Sequence, residues 1–495
     1  MNEKYESVDV LFFQSVPYEG CWLLSNALLQ LASFIDQNGF KAKVVHLGIH
    51  YDYKKTVLEN VMKYKPRYVC IDLRWFGTLY TALEAAKLVK TINKNIVTIT
   101  GGHTATYFNK EIISTCSFVD IIIKGDAELP LLNILKNEER VNCTFRKKDN
   151  VIQQPITYTQ EQSDLEGLHL TNLEKILDST NEILLMQPKQ LKSPLYPRAF
   201  IWSGKGCNYN CIYCGARADS QKILFNRKRP IFRNVKDVLR DIEEFSKMGI
   251  VTFEFDFDPF VKDETFYLSL FKTIKSSNFN CVFNSWTLPS AELLESLQNS
   301  FKNVIVTMSP ETFNESVRKY LAENNLGRPY YSNVELINCI ENVRAFNNLY
   351  LELYLVAGLP LETDISFKTN LEFANFIKKR YSSVFMKKQG YRSINCLPLQ
   401  IEPSTFMDDA SNQLVTQSGM TIYRKSYNDF YDFSKRDFFH LPRNVFGLDP
   451  SSTIKIKQNV NLFNKSMDKT GWKNNIIRLK GIFKKIKRNN TLTSR

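Results

Sequence analysis

The sequence predicts an α/β protein built as an N-terminal doubly wound (Rossmann-like) domain, a partial (β/α)6 barrel and a C-terminal helical tail. Three observations lead there. Short apolar runs alternate with helix-length amphipathic patterns along most of the chain, as parallel sheets with crossover helices require. The 495 residues, 43% of them hydrophobic, exceed what one core usually organises. A polar, weakly periodic stretch ending in "PKQLKSPLYP", with three prolines, separates two such alternating series.

In residues 1–136, "VDVLFF", "AKVVHLG", "YVCIDL", "NIVTITGG" and "VDIIIKG" read as five strands. Helical patterns such as "NALLQLASFIDQNG" and "LYTALEAAKLVKTI" lie between them. Open sheets of this kind bind ligands beyond the carboxyl ends of their strands. Residues 137–195 read as a linker with one small hairpin. From 196 to 405, six βα units begin with "AFIWSGKGC", "VTFEFDFDP", "CVFNSW", "NVIVTMSPE", "YLELYLVAGLP" and "RSINCLPLQIEP", and they fit a partial barrel. Residues 406–495 form a helical region ending in a basic tail.

Outside one cluster the ten cysteines sit singly in apolar runs, the usage of a reducing compartment. The N-terminus lacks the basic-then-apolar build of a secretory signal, and no apolar run reaches membrane-spanning length, so a cytoplasmic protein is expected. From Lys465 onward the chain carries +9 of its +14 formal charge. Trp472, Ile476, Leu479, Phe483 and Ile486 recur there at helical spacing between lysines. Two readings stand: a helix docked on its own protein with a solvated lysine face, or a peripheral contact with a membrane or an acidic partner. No nucleic acid is expected.

The cluster is "GKGCNYNCIYCGARADS", with Cys207, Cys211 and Cys214 within eight positions, directly after the first barrel strand. On a strand-to-helix loop these spacings let three thiolates converge. Structural zinc normally takes a closed set of four ligands, and no fourth stands nearby. A cubane iron–sulfur cluster held by three cysteines leaves one iron open.

The Cys-x3-Cys-x2-Cys pattern, with Tyr213 before the last cysteine and Gly215 after it, resembles the radical S-adenosylmethionine (radical SAM) superfamily. The resemblance implies a 4Fe-4S cluster on the three cysteines, S-adenosylmethionine on the open iron, and an external electron donor such as flavodoxin or ferredoxin. One electron then yields a 5′-deoxyadenosyl radical. Cofactor contacts are implied for Tyr213, for Asp256 and Asp258 in "FEFDFDPF", for Ser309 and Glu311 in "VTMSPET", and for Gly358 in "GLPLET". Leu361 stands where the family carries a second glycine, and "IEPST" resembles the family's Pro-Gly-Thr loop imperfectly. For each acid a helix-capping role is the alternative.

The front domain is similar to the cobalamin-binding domain of the cobalamin-dependent members, through Gly101 and Gly102 after the fourth strand and through "VDIIIKGDAELPLLNIL". Two glycines let a ligand approach the backbone closely. The Asp-x-His-x-x-Gly loop that ligates cobalt in other cobalamin proteins is replaced by "SVPYEGCWLLS", without histidine. His103 lies in a different loop, where a surface or tail-contacting role is expected, so the lower axial position of cobalt is left without a histidine. A nucleotide-type fold without ligand is the alternative.

The function implied is methylation of an unactivated carbon of a small-molecule or peptide substrate, through the deoxyadenosyl radical and methylcobalamin. Radical cyclisation, rearrangement or oxidation without methyl transfer is the enzymatic alternative; a non-catalytic interaction protein tethered by its tail is the other. No residue is assigned as catalytic, and no short motif encodes the substrate.

Overall fold

A computed structural model describes residues 7–15, 24–49, 52–148, 150–178, 197–256, 264–274, 278–359, 361–386, 393–399, 402–405, 426–436 and 450–467. Two sheets carry the fold. The front sheet runs β2-β1-β3-β4-β5-β6-β7, with β1 Val10–Gln14, β2 Ala42–His46, β3 Tyr68–Asp72, β4 Val97–Gly101, β5 Ile121–Ile123, β6 Cys143–Lys147 and β7 Asn150–Gln153. Its first five strands are parallel. Every residue of β1, "VLFFQ", is buried, because helices cover both faces of the sheet. The strand order reverses between β1 and β3, which opens a crevice at their carboxyl ends.

The hairpin expected in the polar stretch is β6–β7, and it adds to the front sheet by antiparallel pairing of β6 with β5. The first part of that stretch therefore belongs to the front domain. Farther along, Leu165 and Leu168 bury themselves against Ile231 of the barrel domain.

The second sheet runs β15-β14-β13-β12-β11-β8, all parallel, with β8 Arg198–Ile201, β11 Thr252–Phe255, β12 Asn280–Ser285, β13 Asn303–Glu311, β14 Leu349–Ala357 and β15 Ile394–Pro398. Six strands in sequential order form the partial barrel. A two-stranded hairpin of β9 Gly204–Lys205 and β10 Ile231–Phe232 flanks it. In β14, "LYLELYLVA", Leu349, Leu351, Leu353 and Leu355 are buried, while Tyr350, Glu352 and Tyr354 alternate with them and are only partly buried. Period-two alternation thus sets the leucines in the core and gives the opposite face tyrosines and a carboxylate.

The C-terminal region reaches back to both units. Helix Tyr427–Arg436 puts Phe430 and Phe433 into the front-domain core, with Phe430 5.2 Å from Phe76 and 5.4 Å from Phe108 between ring centres. Helix Pro450–Met467 covers the edge strand β15. The Asn464 side chain accepts from the Cys396 N–H (3.1 Å) and donates to its carbonyl (2.9 Å), occupying backbone groups that an open edge would expose. The tail from residue 468, with Trp472, Ile476, Leu479, Phe483 and Ile486, lies outside the described residues. Among the described residues no helix is long and apolar enough to cross a membrane.

Candidate active site between the two sheets

The carboxyl ends of the front strands face the barrel across a cavity of about 620 Å³. Cys70, Arg74, Gly101 and Gly102 line it from the front domain, and Trp202 and Lys205 from the barrel domain. The glycine pair therefore stands at the cavity wall. Gly102 is also demanded by its own domain: at φ +108 an added Cβ would lie 2.9 Å from the Arg74 nitrogen and the Leu73 oxygen. Gly101 is less confined, its nearest neighbour being the Ile123 oxygen at 3.5 Å.

His103 does not take the surface position expected of it. It is partly buried, with Nε2 3.0 Å from Ser404 Oγ and its ring 5.6 Å from that of Phe225. Burial lowers its pKa, so the ring is neutral and bridges the front domain to the barrel. No histidine is among the described residues that line the cavity.

The cysteine loop follows β9. Cys207 and Cys214 are partly buried and Cys211 is buried. The loop is pinned where Ile212 N–H donates to the Leu326 carbonyl (2.8 Å), Ala218 N–H to the Tyr209 carbonyl (2.8 Å) and Cys214 N–H to the Cys211 carbonyl (3.1 Å). Burial pushes the Cys211 thiol up to about 12 and Cys214 well above the usual thiol range, and each thiol also feels the charge of the other cysteines. Thiols so placed become thiolates only against added positive charge, which iron supplies. Among the described residues no three His, Cys, Asp or Glu side chains converge as a single ion needs. A single ion demands ligands about 2.3 Å from one centre, whereas a cubane spreads three thiolates over separate irons. Three thiols on one loop match the three-cysteine ligand set of such a cluster.

Tyr213 and Glu311 meet: the tyrosine hydroxyl donates to Glu311 Oε1. Glu311 sits at φ 65 after a bulge in β13, and Arg328 lies 3.5 Å from it. Arg328 Nη1 also donates to the Ser309 carbonyl (3.0 Å). Asp256 follows β11 at the cavity wall, where its carboxylate is exposed and accepts from Asn284 Nδ2 (2.5 Å). Asp258 lies outside the described residues. Gly358 points elsewhere: at φ +93, its missing side chain makes room for Ile456 of helix Pro450–Met467, whose Cδ1 would be 2.4 Å from an added Cβ. Residues 402–405 of the "IEPST" segment hold the cysteine loop, since Glu402 Oε2 accepts from the Gly215 N–H (2.6 Å) and Ser404 Oγ donates to the Gly215 carbonyl (3.2 Å).

Sequence reasoning missed the polar network that joins the domains here. Lys205 Nζ contacts Asp126 (3.1 Å) and Glu128 (3.0 Å), and Arg227 pairs with Asp126 as well. Arg328 was missed too, because it stands alone in an aperiodic loop.

Residues 203–374 match the radical SAM superfamily, and residues 23–135 match the B12 binding domain. An uncharacterised methyltransferase of Pyrococcus horikoshii is 21% identical over 66% of this chain and 68% of its own length. The hopanoid C-3 methylase of Methylococcus capsulatus is 22% identical over 32% of this chain and 30% of its own. In fold, the chain is similar to the radical S-adenosylmethionine methyltransferase TsrM of Kitasatospora setae, solved with cobalamin and a 4Fe-4S cluster bound: TM-score 0.63, 14% identity, 82% of this chain and 78% of that one. With a B12-binding domain followed by a radical SAM domain around one shared cavity, the chain belongs to the cobalamin-binding family of radical SAM enzymes.

Proposed function

We propose that the protein is a methyltransferase acting on an unactivated carbon, with Cys207, Cys211 and Cys214 holding the cluster. The observation that carries the reading is the shared cavity: the glycine loop of the front sheet lines it, and the cysteine loop follows directly on its wall residues Gly204 and Lys205. When bound, the cluster with S-adenosylmethionine supplies a carbon-centred radical and cobalamin supplies a methyl group. The chain's own part is positioning. Lys205, gripped by Asp126 and Glu128, fixes the root of the cysteine loop against the front domain. Glu402 and Ser404 hold its far end through Gly215. Apolar side chains of Phe12, Leu24, Ile99, Ile123 and Phe200 line the space where a reactive carbon would be formed.

The test is product analysis of the reduced, cobalamin-loaded enzyme. Both 5′-deoxyadenosine and S-adenosylhomocysteine are expected. Deoxyadenosine without any S-adenosylhomocysteine, with cobalamin retained, refutes methyl transfer and leaves a radical rearrangement or cyclisation.

A further inference from the structure

Each radical consumes one electron, which must reach the cysteine loop from outside it. The helix that leaves this loop, Ala218–Phe225, starts four residues after Cys214, at most about 15 Å away along the chain. It is fastened to the loop where Ala218 N–H donates to the Tyr209 carbonyl (2.8 Å) and Asp219 N–H to Asn210 Oδ1 (2.9 Å). A partner seated on this helix therefore stands close to the three thiols.

The outer surface of the helix is cationic and apolar together. Lys222 is exposed one turn after Asp219, and Ile223 beside it is 76% exposed. Arg227 N–H donates to the Gln221 carbonyl (3.1 Å), which ties the chain back to the helix just before the exposed Lys228 and Arg229. Among the described residues Lys222, Lys228 and Arg229 form no ion pair, unlike the buried Arg227, which pairs with Asp126. From Arg217 to Arg229 the only acid is Asp219. Residues 159–160 touch the same stretch, Thr159 Oγ1 donating to the Phe225 carbonyl (2.8 Å) and the Gln160 carbonyl accepting from Arg227 (3.1 Å), and Glu161 beyond them caps the turn Gln162–Leu165. An exposed isoleucine beside unpaired cations has the anatomy of a protein-docking surface, and its charge selects a partner of opposite sign. A single apolar side chain is too little to seat the surface in a membrane.

We infer that the face carrying Lys222, Ile223, Lys228 and Arg229 docks an acidic one-electron carrier protein that reduces the cluster. This goes beyond the methyltransferase reading and does not depend on it, because radical rearrangement and cyclisation draw the same electron. With a flavin carrier, one electron passes from the hydroquinone anion, which becomes the neutral semiquinone, to the oxidised cluster; no bond forms or breaks and no proton moves.

The experiment is anaerobic stopped-flow mixing of the reconstituted, cobalamin-loaded enzyme with hydroquinone flavodoxin, followed by the semiquinone absorption, with dithionite as a small reductant that needs no docking. Lys222→Glu, Lys228→Glu and Arg229→Glu together should slow reduction by flavodoxin at least about tenfold at low salt, and glutamine at the same three positions about threefold. Added salt should slow the parent protein and leave the charge-reversed variant nearly unchanged. Reduction by dithionite should stay within about twofold of the parent in both variants. Parental rates with flavodoxin in both variants would overturn the inference. Equal slowing with dithionite would overturn it too, by placing the effect in the cysteine loop itself. Retention of the parent protein on phosphatidylserine vesicles, lost with the same substitutions, would give the surface to a membrane and also overturn it. Cluster reduction precedes any methyl transfer, so failure of the methyl-transfer reading through missing S-adenosylhomocysteine is a separate result.

Discussion

Gly358→Ala tests the claim that this glycine serves helix docking. The backbone there is at φ +93, in the region that L-residues avoid, which costs about 1–2 kcal/mol. The new Cβ would also lie 2.4 Å from Ile456 Cδ1 and 3.0 Å from its Cγ1. Ile456 is 5% exposed, so its side chain has little space to turn away, and the overlap adds about 1–3 kcal/mol as overpacking. The sum is about 2–5 kcal/mol, of which the steric part, about 1–3 kcal/mol, falls on the docking of helix Pro450–Met467 over β15. Hydrogen exchange followed by mass spectrometry reads it as faster exchange in that helix, with residues of the front sheet unchanged. Ile456→Ala removes the overlapping atoms at its own cost of about 2–4 kcal/mol. In that background Gly358→Ala should cost only the backbone part, about 1–2 kcal/mol. Equal cost in both backgrounds would refute the steric argument and with it the placement of the helix, and no cost in either would refute the left-handed backbone at Gly358.

Replacing Cys207, Cys211 and Cys214 together by alanine should abolish the brown visible absorption of anaerobically purified protein, whereas Cys281→Ala and Cys339→Ala, buried in the barrel core, should keep it. Leu361 holds φ 71, so Leu361→Gly should be more stable than Leu361→Ala by about 1 kcal/mol in thermal unfolding, the reverse of the usual order. Burial raises the Asp178 carboxyl, but hydrogen bonds from Lys63 (2.8 Å) and Tyr64 outweigh it and hold the pKa below the usual range. The stability this contributes is present above the unfolded value of about 3.9 and is lost as pH falls through the folded one. Asp178→Asn should therefore lower the melting temperature at pH 7, and its gap from the parent protein should close toward pH 3.

The fold was largely legible because each strand is a short apolar run bounded by helix-length patterns, and the six barrel strands pair in the order in which they occur. The leading hairpin of the polar stretch reads as linker because β6 and β7 are amphipathic and half exposed, so only the pairing of β6 with β5 shows where they belong. At the site, local motifs were readable and pairings between distant segments were not. "GKGCNYNCIYCG" announces itself by spacing, whereas Lys205 meets Asp126 and Glu128 from nearly eighty residues away. Family likeness makes Gly358 a cofactor contact, whereas the atom that fills its space belongs to a helix almost one hundred residues later.

Those distant pairings bear on how a two-cofactor enzyme sets the distance between its reactive centres. The cysteine loop is held from both ends by contacts that involve the front domain. At its root, Lys205 is seated between Asp126 and Glu128, which lie just after β5 on the rim of the cavity. At its far end, Gly215 is so closely packed that an added Cβ would come within 2.8 Å of the Pro403 oxygen and 3.0 Å of both Glu402 Oε2 and His103 Nε2. His103 itself follows the glycine pair that lines the cavity wall. A shift of the front sheet relative to the barrel therefore displaces both ends of the cysteine loop, and a shift of the cysteine loop presses directly on the glycine loop. The Lys205 side chain is 23% exposed, so breaking its contacts costs less than the ~3–5 kcal/mol of a fully buried pair, yet it still biases the arrangement. In this architecture side-chain contacts across the cavity rim tie both ends of the cysteine loop to the front domain.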